Sequence, residues 1–188
     1  MKKIIALSFV LCLLLGCLTG CSGEDREPVS PGLRVEPLTG EPVAPDLSGF
    51  KHYELDNGIS FHAVHGLDEM EMEGNMAAYL RNSFFLVMVI EEPRHGTALE
   101  GVDLEGYAEL LADSNGLRPF VTDRYGTLAT TNTAMADGTD DLFFYYVTVH
   151  ETEQSIWLVQ IACHDDLAQS NLDDLACWSA SFVFPEAE

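Results

Sequence analysis

The side chains that could do chemistry here are six histidines, 31 carboxylates, five cysteines and one Ser-x-x-Lys spacing, Ser48–Lys51. Zinc needs three or four converging ligands, usually aimed together by a helical or tight-turn spacing. His62 and His65 are an odd number apart on an expected strand, so they point to opposite faces. His150 and His164 stand at strand ends beside Glu151 and Asp165, where polar residues are ordinary, and His52 and His95 have no evident partner. No metal site follows from the histidines. Calcium is the better cation candidate, and Asp137-Gly138-Thr139-Asp140-Asp141 is the densest acidic turn, with Asp137, Asp140 and Asp141 as weak candidate ligands. As an EF-hand loop it fails, because Leu142 stands where glycine is required and Thr148 where a bidentate glutamate belongs. A solvated acidic loop is the default. Asp165-Asp166 reads as a loop and Asp173-Asp174 as a helix start, where negative charge suits the dipole.

Covalent catalysis finds little support. A serine hydrolase needs an exposed nucleophile, a base and an oxyanion hole, and no Gly-x-Ser-x-Gly elbow occurs. Ser-x-x-Lys acts as an acylating pair where it opens a helix with a Lys-Thr-Gly partner motif. Here it spans a proline-rich segment and a strand, with Gly49 inside it and no Lys-Thr-Gly. Phosphate-binding loops, Cys-x-x-Cys and dinucleotide fingerprints are missing from the sequence as well. The expectation is a protein that is not an enzyme and carries no cofactor.

The most specific chemistry lies at the start of the chain. Lys2 and Lys3 precede an apolar run, Ile4–Leu18, that ends in Leu18-Thr19-Gly20-Cys21. A basic region, a short apolar run and small residues before a cleavage point make a secretory signal, residues 1–20. The last four residues resemble a bacterial lipobox, which implies cleavage before Cys21 and diacylation of its thiol; Leu14-Leu15-Gly16-Cys17 is a weaker second match. The chain is thus expected to be exported and held to a membrane by the lipid on Cys21, at the cell surface or on a periplasmic face. Ser22 after that cysteine suits outer-membrane sorting in a diderm bacterium. Cys163 and Cys177 are then left as candidates for a disulfide closing a 15-residue loop, worth about 3 kcal/mol in the chain-entropy model. Two buried free thiols are the alternative, since Cys163 shares a strand face with Trp157.

Loss of Lys2 and Lys3 leaves seven basic residues against 31 acidic ones, with Lys51 the sole lysine. Charge of that sign repels phosphate backbones, which argues against nucleic acid and against a polybasic grip on anionic lipid. Residues 21–49 hold five of the eight prolines and many carboxylates, a composition that favours extended segments and cannot bury a core. They read as an acidic tether for one domain, residues 50–185.

The elements of that domain are organised around Leu142–Cys163. Phe143, Tyr145, Val147 and Val149 fall on one face of a first strand and Leu142, Phe144, Tyr146 and Thr148 on the other. After the polar turn His150–Gln154, Trp157, Val159, Ile161 and Cys163 oppose Ile156, Leu158, Gln160 and Ala162. Both faces are apolar enough to be covered, and the short turn makes a hairpin. Lys51–Leu55 and Ile59–Val64 flank Asp56-Asn57-Gly58, another hairpin signal. Gly66–Asn75 is irregular; Met70 and Met72, alternating with Glu69, Glu71 and Glu73, are expected to tuck into the core rather than to form a contact surface. Periodicity does not decide Met76–Arg81. Ser83–Ile90 reads as a buried strand stopped by Glu91-Glu92-Pro93. Asp103 caps a helix with Leu104, Tyr107, Ala108, Leu110 and Leu111 inward, ended by Gly116. Phe120–Asp123 and Thr127–Met135 read as strands. Ser170 or Asn171 is expected to cap a last helix with Leu172, Leu175, Trp178 and Ser179 inward.

The order predicts an α+β fold, an antiparallel sheet flanked by helices on both faces. The opening hairpin Tyr53–Ser60, the Leu-x-x-Tyr-Ala-x-Leu helix at Leu104–Leu110, the strand Ser-Ile-Trp-Leu-Val-Gln-Ile and the Ser-Ala-Ser-Phe ending at Ser179–Phe182 resemble the PsbP-like (Mog/PsbP) superfamily. That superfamily includes photosystem extrinsic subunits, a Ran-binding import factor and DcrB-type envelope lipoproteins. The resemblance implies an α/β/α sandwich and a non-catalytic binding or adaptor role beside an envelope protein or complex. No functional residue of those relatives maps onto a motif here. The competing reading is a small-ligand or calcium-binding lipoprotein.

Overall fold

The computed structural model describes residues 32–72, 74–135 and 141–185. Cys21, Asp137 and Asp140 lie outside the described residues. Strands β1 (Lys51–Glu54) and β2 (Ser60–Ala63) form a hairpin by themselves. The other strands are β3 (Asp68–Glu69), β4 (Met76–Arg81), β5 (Phe85–Pro93), β6 (Val121–Thr122), β7 (Leu128–Met135), β8 (Leu142–Glu151) and β9 (Ser155–His164). They make one antiparallel sheet in the order β3-β4-β5-β9-β8-β7-β6. Helices α1 (Leu104–Asn115) and α2 (Asp165–Ala180) cover opposite faces.

The two-residue period of the central hairpin decides which helix each face meets. Phe144, Tyr146, Trp157, Val159 and Ile161 pack with Leu175 and Trp178 of α2 and with the β1–β2 hairpin. Tyr145, Val147, Val149, Ile156 and Leu158 pack with Tyr107, Ala108 and Leu111 of α1. The sheet is therefore a two-sided core, as its apolar runs required.

Helix α1 starts and stops as its caps dictate. Asp103 accepts a 2.8 Å hydrogen bond from the Gly106 amide, and Gly116 closes the helix at φ 61°. Its apolar stripe is narrower than expected, because Leu110 points outward and is exposed. Helix α2 begins at Asp165, not near Ser170. Strand β9 passes straight into it through His164, and Asp165 and Asp166 occupy the first turn, where carboxylates suit the helix dipole. Ser170 and Asn171 lie inside the helix and bond back to the Leu167 carbonyl at 3.0 and 2.8 Å. So Asp165-Asp166, expected in a loop, opens the helix, and Asp173-Asp174 lies in its interior.

Strand β5 also outruns its expected stop. Glu91, Glu92 and Pro93 continue to pair with Trp157, Ile156 and Ser155 of β9. Partner β4 ends opposite Ile90, so the missing amide of Pro93 falls on an open edge, where proline is tolerated.

The acidic segment departs most from expectation. Residues 32–48 lie on the body instead of extending from it. The Arg118 guanidinium donates to the carbonyls of Gly32 and Leu33 at 3.0 Å each, and Thr131 Oγ1 donates to the Leu33 carbonyl at 2.7 Å. Further along, the amides of Leu38 and Val43 bond the carbonyls of Thr122 and Arg124. Leu33 and Val35 pack against the α2-side core. A few apolar side chains and one arginine nitrogen shared by two carbonyls give this stretch the burial that its average composition lacks.

Candidate functional site

At the β8–β9 turn, four pieces of chain enclose an open cavity of about 670 Å³: the β6–β7 turn, the β8–β9 turn, the first turn of α1 and the tail Phe182–Phe184. The β6–β7 turn is built on Asp123, whose Oδ1 accepts from the amides of Tyr125 (2.9 Å) and Thr127 (3.0 Å). The tail is held by a two-way backbone bridge between Val183 and Ser60. Aromatic rings continue inward from it: Trp157 stacks on Phe184, Phe184 on Phe182, Phe182 on Phe61 and Phe61 on Tyr53. Glu105, Glu151 and Glu153 line the mouth, and Arg94 pairs with Glu151.

His150 forms part of this wall, 5.3 Å from the Phe184 ring. Burial pushes its imidazole down to about 4, so it is neutral near pH 7. Nε2 sits 3.0 Å from Thr148 Oγ1, which is 2.6 Å from Ser179 Oγ. A general base must reach a proton that a substrate also reaches. Thr148 and Ser179 have no exposed surface, so the hydroxyls facing this imidazole belong to the interior. The trio is built as a structural hydrogen-bond chain.

The opposite end of the sheet carries a different surface. The β4–β5 turn is set by Asn82, whose Oδ1 accepts from the amides of Phe84 and Phe85 at 2.8 Å. That turn projects Phe84, 59% exposed. With Leu142, Leu167, His164 and the carboxylates Asp141, Asp165 and Asp166 it lines a shallow depression of about 590 Å³. Register pairing places Met135, 47% exposed, beside Leu142. Phe143, packed on the α1 side of the sheet, has its ring 4.4 Å from that of His164.

The residues singled out in the sequence scatter over the molecule. Among the described residues no three His, Cys, Asp or Glu side chains converge on a metal position. His52 does have a neighbour: it faces His62 across the β1–β2 hairpin, with ring centroids 4.7 Å apart. A three-residue loop over Asp56–Gly58 sets that register, so the pair was readable once the loop was fixed. Met70 and Met72 are 38% and 51% exposed instead of tucked into the core. Lys51 Nζ rests 4.2 Å over the Tyr53 ring, while the Ser48 amide turns back to Asp46 at 3.1 Å.

Cys163 and Cys177 are both buried and free. Cys163 ends β9 against the core, and burial pushes its thiol up to about 12. Cys177 lies twelve residues into α2, about 18 Å along the axis at 1.5 Å per residue, and its Sγ lies 3.4 Å from the Asp46 carbonyl. A disulfide needs Cα atoms within about 7 Å, so the helix between them keeps the two apart.

No family model and no curated protein matches the chain. Among solved structures it is similar to the solution structure of cyanobacterial PsbP (CyanoP) from Synechocystis sp. PCC 6803: 11% identity, TM-score 0.45, covering 78% of this chain and 98% of that one. It is also similar to a Mog1 point mutant, with 13% identity, TM-score 0.46, and 73% and 97% covered. A Bacteroides thetaiotaomicron VPI-5482 protein matches with 7% identity and TM-score 0.45 over 68% of this chain and 45% of its own.

Proposed function

We propose that this chain is an exported lipoprotein, held to a membrane through Cys21, whose body is a non-catalytic binding module for an envelope protein or complex. The observation that carries this reading is the exposed apolar end of the sheet, where Phe84 stands out beside Leu142, Leu167 and Met135. A phenylalanine held out on a hydrogen-bonded turn, with apolar neighbours, is the kind of surface that marks an interaction site. Phenylalanine and methionine are also enriched at protein interfaces relative to the rest of the surface.

The test keeps anchor and surface separate. Cys21→Ser in the full-length protein should abolish fatty-acid labelling and move the protein from the membrane to the soluble fraction. Phe84→Asp should leave both unchanged, and leave unfolding within about 0.5 kcal/mol of wild type as an exposed substitution, yet abolish crosslinking to the partner in intact cells. A Phe84→Asp variant that crosslinks as before would sink the binding-surface reading.

The cavity beside His150 supports a second reading, a small-ligand-binding lipoprotein. Its size suits a small molecule, and its aromatic inner wall and carboxylate rim suit a ligand with an apolar face and a cationic group. Its open, largely polar wall ranks it second.

A further inference from the structure

We infer that the Phe84 depression is the membrane-side face of the body and that it receives a basic, apolar segment of a partner polypeptide at the same bilayer. This rests on the anchored reading above.

The strapped segment gives the direction. Going toward the N-terminus, Val43 meets Arg124 in the β6–β7 turn, Leu38 meets Thr122, and Leu33 meets Thr131 on β7. The described chain thus travels along β6 and β7 away from the His150 cavity and toward Met135. It ends at Gly32, held by Arg118. Met135 is four residues beyond Thr131 on the same strand, about 13 Å at 3.3 Å per residue. Ten residues, eleven Cα steps, separate Gly32 from Cys21, a reach of at most about 36–40 Å. That reach matches the length of the sheet, so the direction of the described chain carries the placement: it leaves the body at this edge heading toward the Phe84 end, which puts that end nearer the anchor and the cavity farther from it.

Charge selects the occupant. The half-buried Asp165, the exposed Asp166 and Asp141 surround Phe84, Leu142 and Leu167, and no lysine or arginine lines the depression. Anionic lipid headgroups are repelled by that rim, whereas a lysine or arginine flanking an apolar side chain satisfies both components at once. The occupant is accordingly a polypeptide segment and not the bilayer surface.

Two measurements test this on the full-length, lipidated protein. A donor dye is placed on Ser83→Cys or, at the opposite end, on Glu153→Cys; the buried Cys163 and Cys177 stay unlabelled. In phosphatidylcholine vesicles containing a rhodamine-lipid acceptor, energy transfer from position 83 should clearly exceed that from position 153. Equal or reversed transfer overturns the membrane-side placement. Failure to associate with the vesicles at all would instead refute the anchor, so the two readings fail separately. Next, a photo-crosslinking residue replaces Phe84 in intact cells and the adducts are sequenced. The expected adduct is a peptide with Lys or Arg beside apolar residues, and its yield should fall about threefold in the Asp165→Asn/Asp166→Asn variant with circular dichroism unchanged. Adducts to lipid alone, to an acidic or neutral peptide, or a yield indifferent to both substitutions would overturn the proposal.

Discussion

Tyr146 donates a 2.7 Å hydrogen bond from its hydroxyl to Oδ2 of Asp123, joining the middle of β8 to the β6–β7 turn 23 residues away. Asp123 is 2% exposed and uses its other oxygen for the turn's own amides. One carboxylate therefore fixes both the turn that walls the cavity and the turn's attachment to the core. Burial, followed by the neighbouring carboxylate, raises the Tyr146 phenol well above its usual range, so it stays the donor.

Removing the acceptor should cost more than removing the donor. Asp123→Ala strands two amides and a phenol, an expected loss of about 3 kcal/mol or more, while Tyr146→Phe should cost about 1–2 kcal/mol. Urea unfolding of both single variants and the double variant checks this. The double-mutant cycle should show coupling of at least about 1 kcal/mol.

His150 gives the fold an acid-sensitive element. Its folded-state value of about 4 lies below the 6.5 of an unperturbed imidazole, so the unfolded chain binds the proton more readily. Its contribution is present above pH 6.5, declines as pH falls toward 4, and declines no further below that. Its size is about 3 kcal/mol. Unfolding free energy measured between pH 7 and 4 should fall more steeply in wild type than in His150→Gln.

Arg118→Ala should free the strap and spare the body. The amides of Leu38 and Val43, bonded to Thr122 and Arg124, should lose hydrogen-exchange protection, while β8 and β9 amides keep theirs. Unchanged protection at Leu38 would mean that the packing of Leu33 and Val35 and the Thr131–Leu33 hydrogen bond hold the segment without the guanidinium.

The two thiols should be silent in the native state. A reductant should leave the Tm unchanged, and a thiol reagent should modify Cys163 only on unfolding, since burial and its raised pKa leave little thiolate. A reductant-dependent fall in Tm would show the two cysteines to be bonded after all.

A calcium titration separates the readings of the acidic turn near Asp141. A native-state site at about 100 times its dissociation constant would add about 2.7 kcal/mol. With the binding module reading, Tm after chelation and after millimolar calcium should coincide. A calcium-selective rise would favour the competing cation-binding function.

Features that depend on near neighbours could be read from the residues alone. The two-residue period assigned each side chain of β8 and β9 to its face, and the helix caps Asp103 and Gly116 bounded α1. Together with the apolar runs, these local rules required an antiparallel sheet with helices on both sides. Only the folded molecule reveals the strap, the separation of the cysteines, the linking of His150 to Thr148 and Ser179, and the exposure of Phe84. The strap and the His150 hydrogen-bond chain are set by pairings tens of residues apart, Leu33 with Thr131 and Thr148 with Ser179, whereas the Asn82 turn and the early start of α2 set the other two. Composition averaged over residues 21–49 concealed the few groups that dock residues 32–48. Periodicity gives a side chain its face but not the depth at which another element covers it, which is why Leu110, Met70 and Met72 came out exposed.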